Sequence, residues 1–99
     1  MPPSEICWIW DELKASSNLR KHRVSFELAS IALNDPDQFS QLDIDSYEHR
    51  FKTLARVEDV VLVVVHTEPE PEHHSGELVG RIISARKATP AERRAYTNG

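Results

Sequence analysis

The chain has 99 residues, which fits a single domain over residues 1–99 with one hydrophobic core. Its 16 Asp and Glu outnumber its 12 Lys and Arg, and the net charge of −4 argues against indiscriminate nucleic-acid binding but not against a local basic site. The single cysteine excludes an internal disulfide, and the longest apolar run, Val60–Val65, is far shorter than the ~20 residues that span a bilayer. The N-terminus has no signal-peptide pattern, so we expect a cytoplasmic protein without membrane association.

The first part of the chain predicts one strand and two helices. Residues Ile6–Trp10 are strongly apolar and form the predicted strand. Asp11 has the side chain of a helix N-cap, and the helix that it opens runs to about His22. Ser25 is a second N-cap, and its helix ends at Asn34–Asp37, because a residue before proline is disfavoured in the α region.

Three strands in a meander are predicted next. Phe39–Ile44 is weakly strand-like, Arg50–Val57 alternates between two faces, and Val60–Thr67 is apolar on both faces, as in a central strand covered twice. Glu68–Glu77 is rich in proline and glutamate and predicts a long loop. Val79–Lys87 is the last predicted strand.

A short C-terminal helix completes the chain. Thr89 and Glu92 form a capping box with Pro90 at the first helical position, and Asn98–Gly99 would end the helix. Because strands run together after a helical pair, we expect an α+β fold. Two N-terminal helices would pack on a mostly antiparallel sheet of four or five strands.

Positive charge is unevenly distributed in this acidic chain. Residues 81–96 hold five cations and one carboxylate, a local balance of 5 − 1 = +4. On the strand Arg50–Val57, the side chains of Arg50, Lys52 and Arg56 share one face by two-residue alternation. Guanidinium groups on neighbouring strands would suit a phosphodiester, although solvated surface residues explain the same pattern.

The last strand contributes the other half of this cation group. Simple alternation puts Ser84 and Arg86 on the face of Ile82, and Arg81 and Lys87 on the other face.

The histidines give no recognisable metal site. His22 suits a helix C-terminus, where it complements the dipole, and His66 interrupts an apolar strand, as a structural histidine does. His73 and His74 lie in the predicted loop at a spacing typical of no zinc or iron site. Motifs for nucleotide cofactors are also missing, so we expect neither metal nor cofactor.

Three signatures in order carry a resemblance to a known family. They are Trp10-Asp11-Glu12 with Lys14, Asn18, Lys21-His22, Val24-Ser25-Phe26-Glu27 and Ala29; then Arg50-Phe51 and Val60–Glu68; then Ile82–Thr89 with Glu92-Arg93-Arg94 and Tyr96. In these residues the chain resembles the BrnT toxins. The resemblance covers nearly the whole chain and is weakest in residues 34–48 and 69–79.

This resemblance implies a type II toxin with a RelE-like fold that cleaves RNA and so inhibits translation and growth. It implies a BrnA-like antitoxin as partner, with two toxins in a toxin–antitoxin heterotetramer as the expected assembly. The chain departs from the family in three places. Arg23 replaces a common glycine, which means either strain of roughly 1 kcal/mol or a different turn. Ala55 also replaces glycine, and the acidic loop 68–77 is long, so that it either folds over the basic strand or is solvated.

The mechanism that the resemblance implies is attack by a ribose 2′-OH on the adjacent phosphorus without a metal. In this hypothesis Arg50 and Arg86 stabilise charge, and Lys21 or His22 transfers protons. Tyr96 is either an accessory proton donor or a packing residue. The expected RNA-binding residues are Lys52, Arg56, Arg81, Lys87 and Arg93.

Two other functions fit the same residues. The basic strand face would also suit a non-catalytic protein-binding module that engages an acidic antitoxin-like partner. A regulator that binds nucleic acid without cutting it is the second alternative, which the pI of about 5.7 disfavours.

Overall fold

The structure is a computed structural model that describes residues 5–44, 47 and 49–98. Three helices and six strands lie in these residues, in the order β1 (Ile6–Ile9), α1 (Glu12–His22), α2 (Phe26–Ala32), β2 (Phe39–Asp43), β3 (Arg50–Val57), β4 (Val60–Thr67), β5 (Glu70–Pro71), β6 (Leu78–Lys87) and α3 (Pro90–Asn98). The predicted α+β class is confirmed. The predicted end of the last helix at Gly99 lies outside the described residues.

All six strands form one sheet, in the spatial order β1-β6-β4-β3-β2 with β5 paired to β6. The strands β2, β3 and β4 form the predicted antiparallel meander. β6 is antiparallel to β4 and parallel to β1. The sheet is therefore mostly antiparallel, and β4 lies at its centre, as its apolar sequence predicts.

The strand count differs from the prediction of four or five. The additional strand is β5 (Glu70–Pro71), which lies in the segment predicted to be only loop. It pairs with Leu78 and Val79 of β6. Its sequence has no strand pattern, because a two-residue strand next to a proline has almost no side-chain periodicity. The strand β5 forms instead because its backbone pairs with the first residues of β6.

The two faces of the sheet are covered unequally. One face, which we call the helix face, packs on α1 and α2 around a core that includes Phe26, Ala29, Leu62 and Val64. The opposite face, which we call the open face, contacts only α3 among the described helices. That contact is a smaller cluster of Val61, Val63 and Ala88 with Leu54 and Tyr96. Alternation along β4 therefore buries side chains on both of its faces, as predicted.

An irregularity between Val65 and His66 changes the pairing of β4 with β6. Val65 is opposite Ser84, whereas His66 is opposite Ile82, so Ile83 is an extra residue in β6. Residues directly opposite each other share a face. Ser84 therefore shares the face of Val65, and Ile82 shares the face of His66.

This irregularity corrects the prediction for β6. Ile82 is buried in the core of the helix face. Ser84 and Arg86 lie on the open face, so the prediction that they share the face of Ile82 was wrong, because alternation cannot anticipate an inserted residue. Arg81, one residue before Ile82, also lies on the open face, while Lys87 lies on the helix face.

Local capping signals form as predicted. Asp11 Oδ1 accepts hydrogen bonds from the N–H groups of Leu13 and Lys14, at 2.8 and 3.2 Å. Ser25 Oγ accepts one from the N–H of Leu28 at 3.0 Å. At the end of α1, Arg23 adopts the left-handed conformation, with φ 61 and ψ 27. The glycine-like turn therefore forms without glycine.

A buried side chain attaches α1 to the sheet. Asn18 Nδ2 donates to the carbonyls of Val24 and Ala85, at 3.0 and 2.8 Å, and Asn18 Oδ1 accepts from the N–H of Ala85 at 3.1 Å. β1 pairs with β6 only as far as Arg81. Beyond that point, Asn18 of α1 bonds the backbone at the edge of β6 in place of a neighbouring strand. No helix in the described part of the chain has the length and apolar character needed to cross a membrane.

Candidate functional site

The open face carries a group of polar and cationic side chains beyond the area that α3 covers. They are Arg50 and Lys52 on β3 and Arg81, Ser84 and Arg86 on β6, and we call this surface the cationic face. The pairing of both strands with β4 places all five on one side of the sheet. Arg50 and Arg86 therefore share a face.

The arginines of the cationic face are not equally close to one another. Arg50 is opposite Thr67, and the N–H of Arg81 donates to Thr67 Oγ1 at 2.9 Å. Two strand spacings separate the Cα atoms of Arg50 and Arg81 by about 10 Å. Arg86 is opposite Val63, which lies four residues before Thr67 on β4. Arg86 is therefore about 13 Å further along the sheet than Arg81. The tighter pair is therefore Arg50 with Arg81.

Arg86 is held by an acidic residue of α3. Its two terminal nitrogens donate to the two carboxylate oxygens of Glu92, at 2.7 and 2.9 Å. The hydrogen bonds from Arg86 lower the pKa of Glu92 to about 2, and those same bonds raise the pKa of Arg86. Both side chains are about one-third exposed, 38% and 31%. The guanidinium fork is thus oriented by a carboxylate at the rim of the open face.

Tyr96 is fixed away from the cationic face. Its hydroxyl donates to Asp35 Oδ2 at 2.6 Å, and the same oxygen accepts the N–H of Arg56 at 2.8 Å. The hydrogen bond to Asp35 raises the pKa of Tyr96 to about 12. Burial alone would raise the pKa of Asp35, but the hydrogen bonds from Tyr96, Arg56 and Asp37 hold it below its usual value. Tyr96 therefore anchors α3 to the segment between α2 and β2.

Lys21 and His22 lie at the end of α1, three and four residues after Asn18. Lys21 is exposed and His22 is half-buried, and both lie near Asn18 on the surface of the helix, because residues at these spacings are neighbours. α1 runs beside β6 in the same direction, so its last turn lies near the residues that follow Ala85. Lys21 and His22 are therefore closer to Arg86 than to Arg50.

The other predicted RNA-binding residues fall in different places. Lys52 is exposed on the cationic face. Lys87 is exposed but belongs to the helix face. Arg56 and Arg93 line a separate cleft beside α3. The structure thus distributes the predicted residues over more than one surface.

A polar cleft adjoins Arg50 at one end of the cationic face. Its volume is about 440 Å³, and the side chains that line it include His49, Thr67, Glu68, Glu70 and Arg81. His49 Nδ1 lies 3.7 Å from Glu68 Oε2, and the N–H of Glu68 donates to the carbonyl of His49 at 3.2 Å. We call it the histidine cleft. It brings an imidazole, two carboxylates and a guanidinium together.

Sequence reasoning missed His49 and Glu68 as site residues. A signal for them was present, since a two-residue turn between Val57 and Val60 puts Arg50 opposite Thr67. Continuing that pairing by one residue brings His49 and Glu68 together, as observed.

His66 is a structural residue, as its sequence context predicts. Its Nδ1 lies 2.8 Å from the Thr67 carbonyl and its Nε2 lies 2.6 Å from Thr53 Oγ1. A carbonyl only accepts, so Nδ1 donates and Nε2 accepts from the Thr53 hydroxyl. Burial lowers the pKa of His66, and its ring packs between Trp8 and Phe51. The neutral ring is therefore fully hydrogen-bonded inside the protein.

The acidic loop 68–77 does not assemble a metal site. In the described residues, no group of three or more His, Cys, Asp and Glu side chains is placed to hold a metal ion. Glu72 accepts hydrogen bonds from the N–H and hydroxyl of Ser75, at 2.9 and 2.8 Å. His73 and His74 are exposed in the turn. The metal-free reaction stays a prediction.

Comparison with known families gives a match over most of the chain. The family described as "Ribonuclease toxin, BrnT, of type II toxin-antitoxin system" matches residues 10–92. No curated protein matches the chain. The matched range contains Lys21, His22, Arg50 and Arg86, and it ends before Tyr96.

Proposed function

The chain belongs to the BrnT family of ribonuclease toxins of type II toxin–antitoxin systems, and from that premise we propose that it cuts RNA without a metal ion and thereby inhibits translation and growth. A ribose 2′ oxygen attacks the adjacent phosphorus, and the bond from phosphorus to the 5′ oxygen breaks. A base takes the 2′ proton and an acid protonates the leaving oxygen, which leaves a cyclic phosphate and a free 5′-OH. The observation that supports this most is the cationic face on the uncovered side of the sheet.

Arg50 and Arg81 are the proposed binding residues for the scissile phosphate. Their Cα atoms lie on either side of Thr67 and are about 10 Å apart. Two arginine side chains can span this separation when they bind one phosphate. Each guanidinium offers parallel N–H donors that match phosphate oxygens. Lys52, one position further on the same face, adds positive charge for the flanking backbone.

Arg86 is proposed to stabilise the charge that develops in the transition state. In the free protein its fork already holds the two oxygens of Glu92. That carboxylate presents a pair of charged oxygens to the fork, as the two non-bridging oxygens of a phosphodiester would. Substrate would add to this arrangement or replace Glu92, and in both cases it would meet a guanidinium that Glu92 has oriented before binding.

Two places offer proton-transfer groups. Lys21 and His22 lie in the last turn of α1, beside the part of β6 that carries Arg86, and His49 with Glu68 lies at the Arg50 end of the cationic face. Replacing His22 or His49 by alanine distinguishes them. The variant that lacks the proton carrier loses turnover by about 100-fold or more while it still binds RNA. The other variant keeps turnover. Tyr96 is assigned an accessory role, since it positions α3 and hence Glu92.

The central experiment incubates the purified protein with end-labelled RNA in EDTA. We expect cleavage with a cyclic phosphate on the upstream product. Arg50→Ala and Arg86→Ala should abolish cleavage while their circular dichroism stays that of the parent protein. Arg20→Ala on the outer surface of α1 is the matched control and should cleave normally. Cleavage that needs added Mg²⁺ would contradict the metal-free mechanism, and an active, folded Arg86→Ala protein would remove Arg86 from it.

The family also supports an antitoxin partner. We propose that this partner is a BrnA-like antitoxin and that the two proteins form a heterotetramer with two copies of each chain. We also propose a RelE-like fold and a cytoplasmic location. Co-expression with the antitoxin from the adjacent reading frame, followed by mass measurement of the purified complex, tests the stoichiometry. A complex with one copy of each chain would contradict the heterotetramer.

A non-catalytic protein-binding module remains the second candidate function. The observation in its favour is that Arg86 already has a carboxylate partner, as it would in a surface built for acidic side chains. The same incubation separates the two, because a module binds the acidic partner but leaves RNA intact in EDTA. Salt-sensitive RNA binding without cleavage would indicate a nucleic-acid regulator instead.

A further inference from the structure

A second basic cleft lies beside α3, at the end of the sheet where β3 turns into β4. It has a volume of about 400 Å³, and Arg56, Arg93 and Arg94 line it together with Asp59 and Val61. The charge of these residues is 3 − 1 = +2, in a chain whose net charge is −4. We call it the arginine groove. Arg94 was not among the predicted RNA-binding residues, although it belongs to the cation-rich segment 81–96.

The donors of this groove are mostly unused by the protein. Arg56 Nε donates to the carbonyl of Glu58 at 2.8 Å, which orients the side chain, but its Nη2 is 3.8 Å from the fully exposed Asp59. Arg93 makes one long bond of 3.5 Å to the carbonyl of Ala88. Arg94 forms no side-chain hydrogen bond or ion pair to any residue that the structure describes. Each guanidinium has five N–H donors, so most of them point to solvent.

Helix stability does not explain Arg93 and Arg94. A cation favours the last turn of a helix, where it complements the dipole, and the last turn of α3 has none. The two arginines are instead the fourth and fifth residues of the helix. Three like charges around one groove also repel each other, a cost that an anion between them would remove.

We propose that the arginine groove is an RNA exosite, in which Arg93 and Arg94 bind two backbone phosphates that flank the linkage cleaved on the cationic face. This rests on the proposed ribonuclease function and extends its substrate to several nucleotides. Arg50 and Arg56 lie at the two ends of β3, six residues apart, so the groove is about 20 Å from the phosphate site. An RNA of about three nucleotides is too short to reach both, so only a longer RNA binds at the two places together. An acidic protein segment is the competing ligand.

Binding of uncleavable RNA tests the exosite separately from catalysis. RNA with 2′-O-methyl groups lacks the attacking oxygen, so its affinity is measurable by fluorescence anisotropy even if the protein cuts nothing. The probes are oligomers of about 12 and about 3 nucleotides, within the site sizes known for single-strand binding. The variant is Arg93→Gln/Arg94→Gln. Its matched control, with the same charge change, is Lys14→Gln/Arg20→Gln on the outer surface of α1.

We expect the groove variant to bind the longer RNA about tenfold more weakly, while its affinity for the shorter RNA changes less than twofold. The slope of log affinity against log salt should fall by about 1.4, because each phosphate contact to a single strand contributes about 0.7. The control variant should match the parent protein. Circular dichroism checks that the groove variant is folded, and Arg94→Gln alone, with about half the effect on the slope, serves if it is not.

Several results would overturn the exosite. Unchanged affinity for the longer RNA removes it. An equal loss in the control variant shows a general charge effect, and an equal loss for both RNA lengths places the arginines in the central site. Weakened binding of the antitoxin with normal RNA affinity assigns the groove to the acidic protein. Absence of cleavage by the parent protein in EDTA would count against the proposed ribonuclease and not against the groove.

Discussion

Arg23 holds a backbone conformation that favours glycine. It ends α1 at φ 61 and ψ 27, and its N–H donates to the Leu19 carbonyl at 2.9 Å. A Cβ in this region costs roughly 1–2 kcal/mol, part of which glycine loses again through its more flexible unfolded chain. We therefore expect Arg23→Gly to stabilise the protein by about 1 kcal/mol and to raise its melting temperature by about 4–8 °C.

The control for this prediction is the same exchange at a helical φ. Arg20→Gly, inside α1, should destabilise the protein by about 1 kcal/mol, because glycine is a poor helix residue. Thermal and urea unfolding of the two variants should thus move in opposite directions. Destabilisation by both would mean that the Arg23 side chain contributes more than its backbone strain costs.

The residue types alone predicted those contacts that join near neighbours in the chain. Asp11, Ser25 and the Thr89–Glu92 box cap helices because each reaches N–H groups only two or three positions away. The partner of Glu92 was not predictable in this way. Arg86 is six residues away and joins Glu92 through the turn between β6 and α3, whose geometry no propensity encodes.

Asn18 is the main polar link between α1 and the sheet. It is 7% exposed and bonds both backbone groups of Ala85 and the carbonyl of Val24. Asn18→Ala leaves these three buried groups without partners, at a cost of roughly 3 kcal/mol. Urea unfolding measures this cost, with the exposed Ser17→Ala as control. A loss below about 1 kcal/mol would show that water replaces the amide.

The pair of Arg86 and Glu92 connects β6 to α3 and makes that connection pH-dependent. The pKa of Glu92 falls from 4.5 to about 2 in the folded protein. A carboxyl whose folded pKa is lowered stabilises the fold above its unfolded value. This contribution should therefore be complete above pH 4.5 and disappear between pH 4.5 and about 2. Since both groups are about one-third exposed, its size is roughly 1 kcal/mol.

Glu92→Gln tests this directly. Its free energy of unfolding should be lower than that of the parent protein at neutral pH, and the two should converge as the pH approaches 2. Glu5→Gln, an exposed carboxylate in the chain before β1, should show no such convergence. A constant difference at all pH values would indicate that the variant is destabilised by lost packing and not by the lost charge.

Periodicity predicted most strands, and it failed where pairing alone decides. The bounds of β3 and β4 match the prediction because alternating and continuous apolar patterns mark them. The extra residue Ile83 carries no mark of its own, since it is apolar like its neighbours. It nevertheless decides that Arg81, Ser84 and Arg86 all belong to the open face, which is the basis of the proposed site.

The molecule as a whole separates several of its cations onto one side of the sheet. The helix face is covered by α1 and α2, so among the described residues the sheet is accessible mainly on the open face. The cationic face and the arginine groove both lie there, although the net charge is −4. Composition alone could not predict this separation, because it depends on which residues the sheet turns outward. The family signatures predicted an RNA substrate, and the register of β3, β4 and β6 places together the cationic residues that we propose bind it.

Acidic residues near the cationic face should limit RNA affinity more than acidic residues elsewhere. Glu70 is exposed and lines the histidine cleft with Arg81, whereas Glu27 is exposed in the first turn of α2 on the helix face. Glu70→Gln and Glu27→Gln change the net charge equally. At about 0.1 M salt, charges further than about 10 Å apart are largely screened, so only the first change is felt at the phosphate site.

We therefore expect Glu70→Gln to bind 2′-O-methyl RNA roughly threefold more tightly and Glu27→Gln to bind it like the parent protein. The gain should vanish near 1 M salt, where screening acts within about 3 Å. This result would also distinguish the two alternatives for the acidic loop 68–77, since a solvated glutamate away from the substrate gives no gain. An equal gain from Glu27→Gln would show that net charge governs RNA binding, and the cationic face would lose its special role.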